Sequence, residues 1–173
     1  MRFGRRRGEP PPTSPRQVLL VLLGGRASAA AVRRTRELAT PEGPVAVLAL
    51  LKIHGYSLGM PNPGLLPTTQ EKAAQRDVVA DAITRLEKKG CDVDGQVAAT
   101  RHPARTIAWV ARHRGVHHVV IERVPTSSLR RAVEGDTVAS VRRRLGDSVE
   151  VVVLDAVATG AGPSVGAAPR PRP

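Results

Sequence analysis

The residues with the clearest chemical potential lie between Val116 and Arg144. A β-branched apolar run, Val116, Val119, Val120 and Ile121, ends at Glu122. Pro125, Thr126, Ser127 and Ser128 break the pattern, and Gly135 and Asp136 precede a helical run from Thr137 to Leu145. A buried strand, an irregular loop and a helix start form a phosphate-holding arrangement. In open α/β sheets, ligands sit beyond the carboxyl ends of strands, where helix N-termini offer free N–H groups. A nucleotide is the ligand class this order suggests. The local chemistry opposes it, because the loop is poor in glycine and carries Glu122 at its mouth and Asp136 at the helix start.

Other reactive side chains lack the partners their chemistry needs. Ser127 and Ser128 have no G-x-S-x-G elbow around them and read as turn residues. His113, His117 and His118 invite a metal reading. However, His113 and His117 straddle a helix end and a strand start, and His117 and His118 point to opposite faces of a strand. Cys91 is the single cysteine, so no internal disulfide forms, which fits a reducing compartment. Lys88 and Lys89 beside it favour a lowered thiol pKa, but no His or Asp relay adjoins it. No acid, base and nucleophile converge, and the chain reads as a non-enzyme. Gly24 and Gly25 allow close approach of a phosphate, or simply a tight turn. Arg130, Arg131, Arg142, Arg143 and Arg144 make either a solvated face or a polyanion surface. With one Trp, one Tyr and one Phe, the chain reads as having no aromatic stacking platform, which argues against nucleic-acid recognition.

The elements that position these residues follow from apolar periodicity. Gln17 to Leu23 is a first strand, apolar at every position from Val18, which implies cover on both faces. Ser28 caps a helix from Ala29 to Ala39. Pro44 to Ile53 is a second buried strand, followed by an irregular excursion from His54 to Pro67. Thr68 and Glu71 form a capping box for a helix reaching Lys89, with Val79, Ala82, Ile83 and Leu86 on its apolar face and Gly90 after it. Asp92 to Thr100 is a weaker strand, interrupted by Gly95, suited to a sheet edge. Pro103 opens a helix with Ile107, Val110 and Ala111 toward the core, Trp109 at its margin and Gly115 after it. The helix from Thr137 ends at Gly146, and Val149 to Leu154 is a last strand. Strands alternating with helices specify an α/β sandwich with right-handed crossovers.

The chain has 173 residues, a formal charge of +12 and 2% aromatic residues, so a single domain with an aliphatic core is expected. Residues 1–16 are Arg/Pro-rich and residues 156–173 Ala/Gly/Pro-rich, and both are expected to be disordered tails around a domain spanning 17–155. Arg2, Arg5, Arg6, Arg7 and Arg16 outweigh Glu9 in the first tail, and Arg170 and Arg172 lie in the second; composition bias is the first reading of this charge, and nonspecific polyanion or nucleic-acid contact by the tails is the alternative. The apolar run Val18 to Leu23 is shorter than the roughly 7–15 residues of a signal-peptide core, and nothing approaches the roughly 20 of a membrane span. The chain reads as cytoplasmic, without a membrane.

In this order of elements the chain resembles the universal stress protein family from Gln17 to Asp155. The resemblance rests on three local matches. The first is the strand Val18 to Gly24 before an Ala-rich helix. The second is Pro103, Ile107 and Ala111 at successive spacings of four. The third is the loop, where the family's nucleotide-binding members carry a glycine, two residues, a glycine, nine residues, then glycine and Ser/Thr. That spacing falls here on Glu122, Pro125, Gly135 and Asp136, of which only Gly135 matches. Those members also have an aspartate at the end of the first strand, where this chain has Leu23. The resemblance implies a Rossmann-like, three-layer α/β sandwich: a five-stranded parallel sheet, order 3-2-1-4-5, with helices on both faces. It implies a stress-response or regulatory domain without catalysis, acting through an unidentified protein partner. The degenerate loop argues for no cofactor, with ATP or AMP as the alternative. A nucleotide site, if kept, would use Gly24, Gly25 and Gly135. In the implied order the last strand is an unblunted apolar edge, and a homodimer through it is expected.

Overall fold

The computed structural model describes residues 17–40, 44–53, 67–123 and 136–155. The expected tails, most of the excursion after the second strand, and the loop carrying Pro125, Ser127, Ser128, Arg130, Arg131 and Gly135 lie outside these residues. The strands are β1 (Val18–Leu22), β2 (Pro44–Lys52), β3 (Asp92–Thr100), β4 (His118–Arg123) and β5 (Glu150–Asp155). The helices are α1 (Ala29–Leu38), α2 (Thr69–Glu87), α3 (Pro103–His113) and α4 (Thr137–Leu145), the last followed by a 3-10 turn, Gly146–Ser148. The strands form one sheet in the order β3-β2-β1-β4-β5, and every pairing is parallel. The strand order is therefore the expected one. β3 and α4 have the ends expected from the sequence, and the other element ends differ from that reading by one or two residues. Leu23 falls past β1, and Val149 precedes β5 as an extended residue closing the 3-10 turn.

Alternation along the strands splits the core into two layers. Val18, Leu20 and Leu22 of β1 pack with Ala31 and Val32 of α1 and with Val79, Ala82 and Leu86 of α2. Leu19 and Val21 pack with Ile107, Val110 and Ala111 of α3 and with Val138, Val141 and Leu145 of α4. Every residue of β1 is buried, as a strand covered on both faces requires. Each fully buried aliphatic side chain contributes about 1.5–3 kcal/mol.

Helix starts agree with their local chemistry. Ser28 Oγ accepts from Ala31 N–H at 3.0 Å at the α1 N-cap. Thr68 and Glu71 make the full capping box at α2: Thr68 N–H donates to Glu71 Oε2 at 2.7 Å, and Glu71 N–H donates to Thr68 Oγ1 at 3.1 Å. Pro103 occupies the first turn of α3, where its missing N–H costs nothing.

Two details were not legible in the pattern. Gly95 is a packing glycine as well as a weak point in an edge strand. A Cβ there would collide with Val79 Cγ1 and lie 3.0 Å from Ile83 Cδ1, so α2 approaches β3 only because Gly95 has no side chain. Arg114, at the end of α3, is 2% exposed and donates to the Asp94 carboxylate of β3. Among the described residues no helix is long and apolar enough to cross a membrane.

Candidate functional site

The strand order reverses between β1 and β4, and the crevice beyond the carboxyl ends of such a pair is where open α/β sheets take ligands. Leu22 of β1 lies opposite Glu122 of β4 at this point. Glu122 is 3% exposed. Both its carboxylate oxygens accept from the backbone N–H of Ser28, Oε1 at 3.0 Å and Oε2 at 2.9 Å. A carboxylate of this chain therefore stands at the N-terminus of α1, where the helix field and a free N–H would otherwise favour an external anion. Arg85 of α2 donates to the carbonyl of Ala27, so the β1–α1 turn is tied to β4 on one side and to α2 on the other.

Asp136 does the same at α4. It is the N-cap, and its Oδ1 accepts from Val138 N–H at 2.9 Å and from Ala139 N–H at 3.2 Å. Leu23 packs against the α3–α4 layer as a partly buried apolar residue, so β1 itself contributes no carboxylate at its end. Gly24 is partly buried. Gly25 has φ +65°, a left-handed conformation that turns the chain toward α1. Glu122, Leu23, Gly24 and Gly25 thus gather at the β1–β4 crevice, and Asp136 stands at the start of α4. Pro125 and Gly135 lie outside the described residues.

The remaining candidates disperse. His113 stacks on Trp109, and His118 Nδ1 lies 3.1 Å from Glu150 Oε2. Among the described residues no three metal-ligating side chains come together. Cys91 is buried in the α1–α2 layer, and burial pushes its thiol pKa up despite the nearby Arg36 and Lys89 charges, opposite to the lowering expected from its lysine neighbours. A cleft of about 400 Å³ opens between the starts of α3 and α4, with Arg101, His102, Arg105, Asp136, Ser140 and Arg144 on its walls.

No protein-family model and no curated protein matches the chain. Solved structures do. Universal stress protein UspA from Lactobacillus plantarum superposes with a TM-score of 0.60 at 17% identity, over 82% of this chain and 99% of that one. A universal stress protein in complex with cAMP gives 0.56 at 17% identity, over 82% and 98%. The universal stress protein from Archaeoglobus fulgidus in complex with dAMP gives 0.52 at 14% identity, over 80% and 96%. The chain has the universal stress protein fold. Within that fold, the Glu122–Ser28 contact lies at the β1–β4 reversal and the Asp136 cap opens α4. Sequence reasoning placed both carboxylates, but it missed Ser28 N–H as the acceptor's partner. That partner lies 94 residues away in the chain, and no local pattern reports it.

Proposed function

We propose that the chain is a non-enzymatic universal-stress-protein-like domain, acting in stress response or regulation through protein contacts and without tight ATP binding. The observation that carries this reading is the Glu122 carboxylate seated on Ser28 N–H. A phosphate entering the β1–β4 crevice meets a buried negative charge where it needs a donor. Asp136 likewise uses the first N–H groups of α4 for its own cap. Each lost or opposed contact costs about 1–3 kcal/mol in a desolvated site, and two or three move a micromolar ligand toward millimolar.

The second reading is an ATP- or AMP-binding regulator. Its support is that two structures with this fold were solved with cAMP and with dAMP. Native mass spectrometry of protein purified without added nucleotide separates the two. The first reading expects the bare polypeptide mass, and a co-purifying adenine nucleotide would favour the second.

β5 is the candidate protein-contact edge. It is the terminal strand of the sheet, Val151 to Leu154 are only partly buried, and neither proline nor lysine blunts it. A second copy of the chain is the partner this edge fits best.

A further inference from the structure

The two layers of helices differ in charge. α1 and α2 together carry six basic and five acidic residues, and several pair locally, Arg34 with Glu37 at 3.3 Å and Arg85 with Asp81 at 3.5 Å. α3 and α4, on the other side of the sheet, carry five arginines and no carboxylate. Their hydrogen bonds among the described residues go to carbonyls, Arg112 to that of Arg144 and Arg142 to that of Val151 at 3.3 Å. Among the described residues no carboxylate pairs with these arginines, so their charge is available to a ligand.

The same surface holds the chain's one tryptophan. Trp109 is 51% exposed, the large apolar side chain left in water among the described residues. His113 stacks on it with ring centroids 5.0 Å apart and planes 8° apart, which holds the indole in one orientation. Arg105 lies one helical turn before Trp109, and Arg112 lies three residues after it. Arg105 lines the same cleft as Arg144 of α4, and Arg112 donates to the Arg144 carbonyl. Among the described residues Asp136 is the one carboxylate on the cleft wall, and two backbone N–H groups already engage it.

An exposed indole one helical turn from an arginine of a basic cleft is a combination suited to single-stranded nucleic acid: bases stack on the ring and guanidinium groups hold the backbone. We propose that the α3–α4 face binds single-stranded nucleic acid, Trp109 stacking a base while Arg105 and Arg144 hold phosphates across the cleft. Duplex fits poorly, because its bases are already stacked and cannot reach the ring. The surface lies across the sheet from the Glu122–Ser28 contact, so this proposal does not depend on whether ATP binds.

Trp109 reports on its own occupancy. In the full chain, an oligothymidylate of about 16 nucleotides, as long as the largest site of a single-strand-binding OB fold, is expected to quench tryptophan emission. Trp109→Ala, followed by anisotropy of a labelled oligomer, is expected to weaken binding about tenfold. Arg105→Ala with Arg144→Ala is expected to weaken it about tenfold and to reduce the salt slope by about 1.4. Arg33→Ala with Arg34→Ala, which removes the same charge from α1, is expected to change affinity less than about twofold. Unchanged emission on saturation would overturn the proposal. So would equal losses from the α3–α4 and α1 variants, or a duplex of the same length binding as tightly.

Discussion

At the point where the sheet reverses, the Glu122 carboxylate accepts from the Ser28 N–H at the start of α1. Removing the acceptor leaves Ser28 N–H without its partner. Glu122→Ala is therefore expected to lower unfolding free energy by about 1–3 kcal/mol. Glu122→Gln keeps an acceptor and should lose less. Urea unfolding measures both, and a neutral Glu122→Ala would show that the contact has no energetic weight. Glu71 supports a pH prediction. The backbone N–H and the hydroxyl of Thr68 hold its carboxyl below the usual value of 4.5. The folded state therefore binds this proton more weakly than the unfolded chain, and the cap's contribution is present above the ordinary glutamate range. It is lost as pH falls through the lowered folded value. Thr68→Ala should remove this acid dependence from the hydrogen-exchange protection of α2. Cys91, buried and with its thiol pushed up, should react slowly with iodoacetamide at neutral pH. At this scale the sequence was least informative. Arg114 reads as one more surface arginine until its partner Asp94, 20 residues earlier, is in view. Trp109 argues against nucleic acid by its scarcity and for it by its placement.

Among elements, the strands were the most legible parts because parallel strands covered on both faces must be continuously apolar, as VLLVL in β1 is. The helices announced their starts through Ser28, Thr68, Pro103 and Asp136, and α3 and α4 closed before glycines of positive φ, Gly115 and Gly146. β3 was read correctly as an edge, but the reason for Gly95 was not available from the strand alone, since it depends on α2 crossing above it. Gly95→Ala should cost about 1–3 kcal/mol, because Val79 is too stiff to yield. Thermal unfolding tests this, and an unchanged midpoint would mean that α2 shifts freely. At the other edge, β5 should pair with a second copy. Sedimentation is expected to give a dimer at tens of micromolar, an order-of-magnitude working concentration, and Val152→Lys a monomer. A monomeric wild type would remove the interface.

For the whole molecule, strand order came from the resemblance and is what the sheet has, because alternating strands and helices with right-handed crossovers leave few topologies. The site was only half legible: its residue types stand in the sequence, but its contacts join β4, α1 and α2, which the fold alone brings together. The central claim is that this fold fills its own anion positions, with Glu122 at α1 and Asp136 at α4. Titration calorimetry with ATP and Mg²⁺ tests it most directly, on the wild type beside Glu122→Gly with Asp136→Ser. The account predicts no binding tighter than about millimolar for the wild type and a gain of tenfold or more in the double variant. Micromolar ATP binding by the wild type, or no gain in the variant, would contradict it.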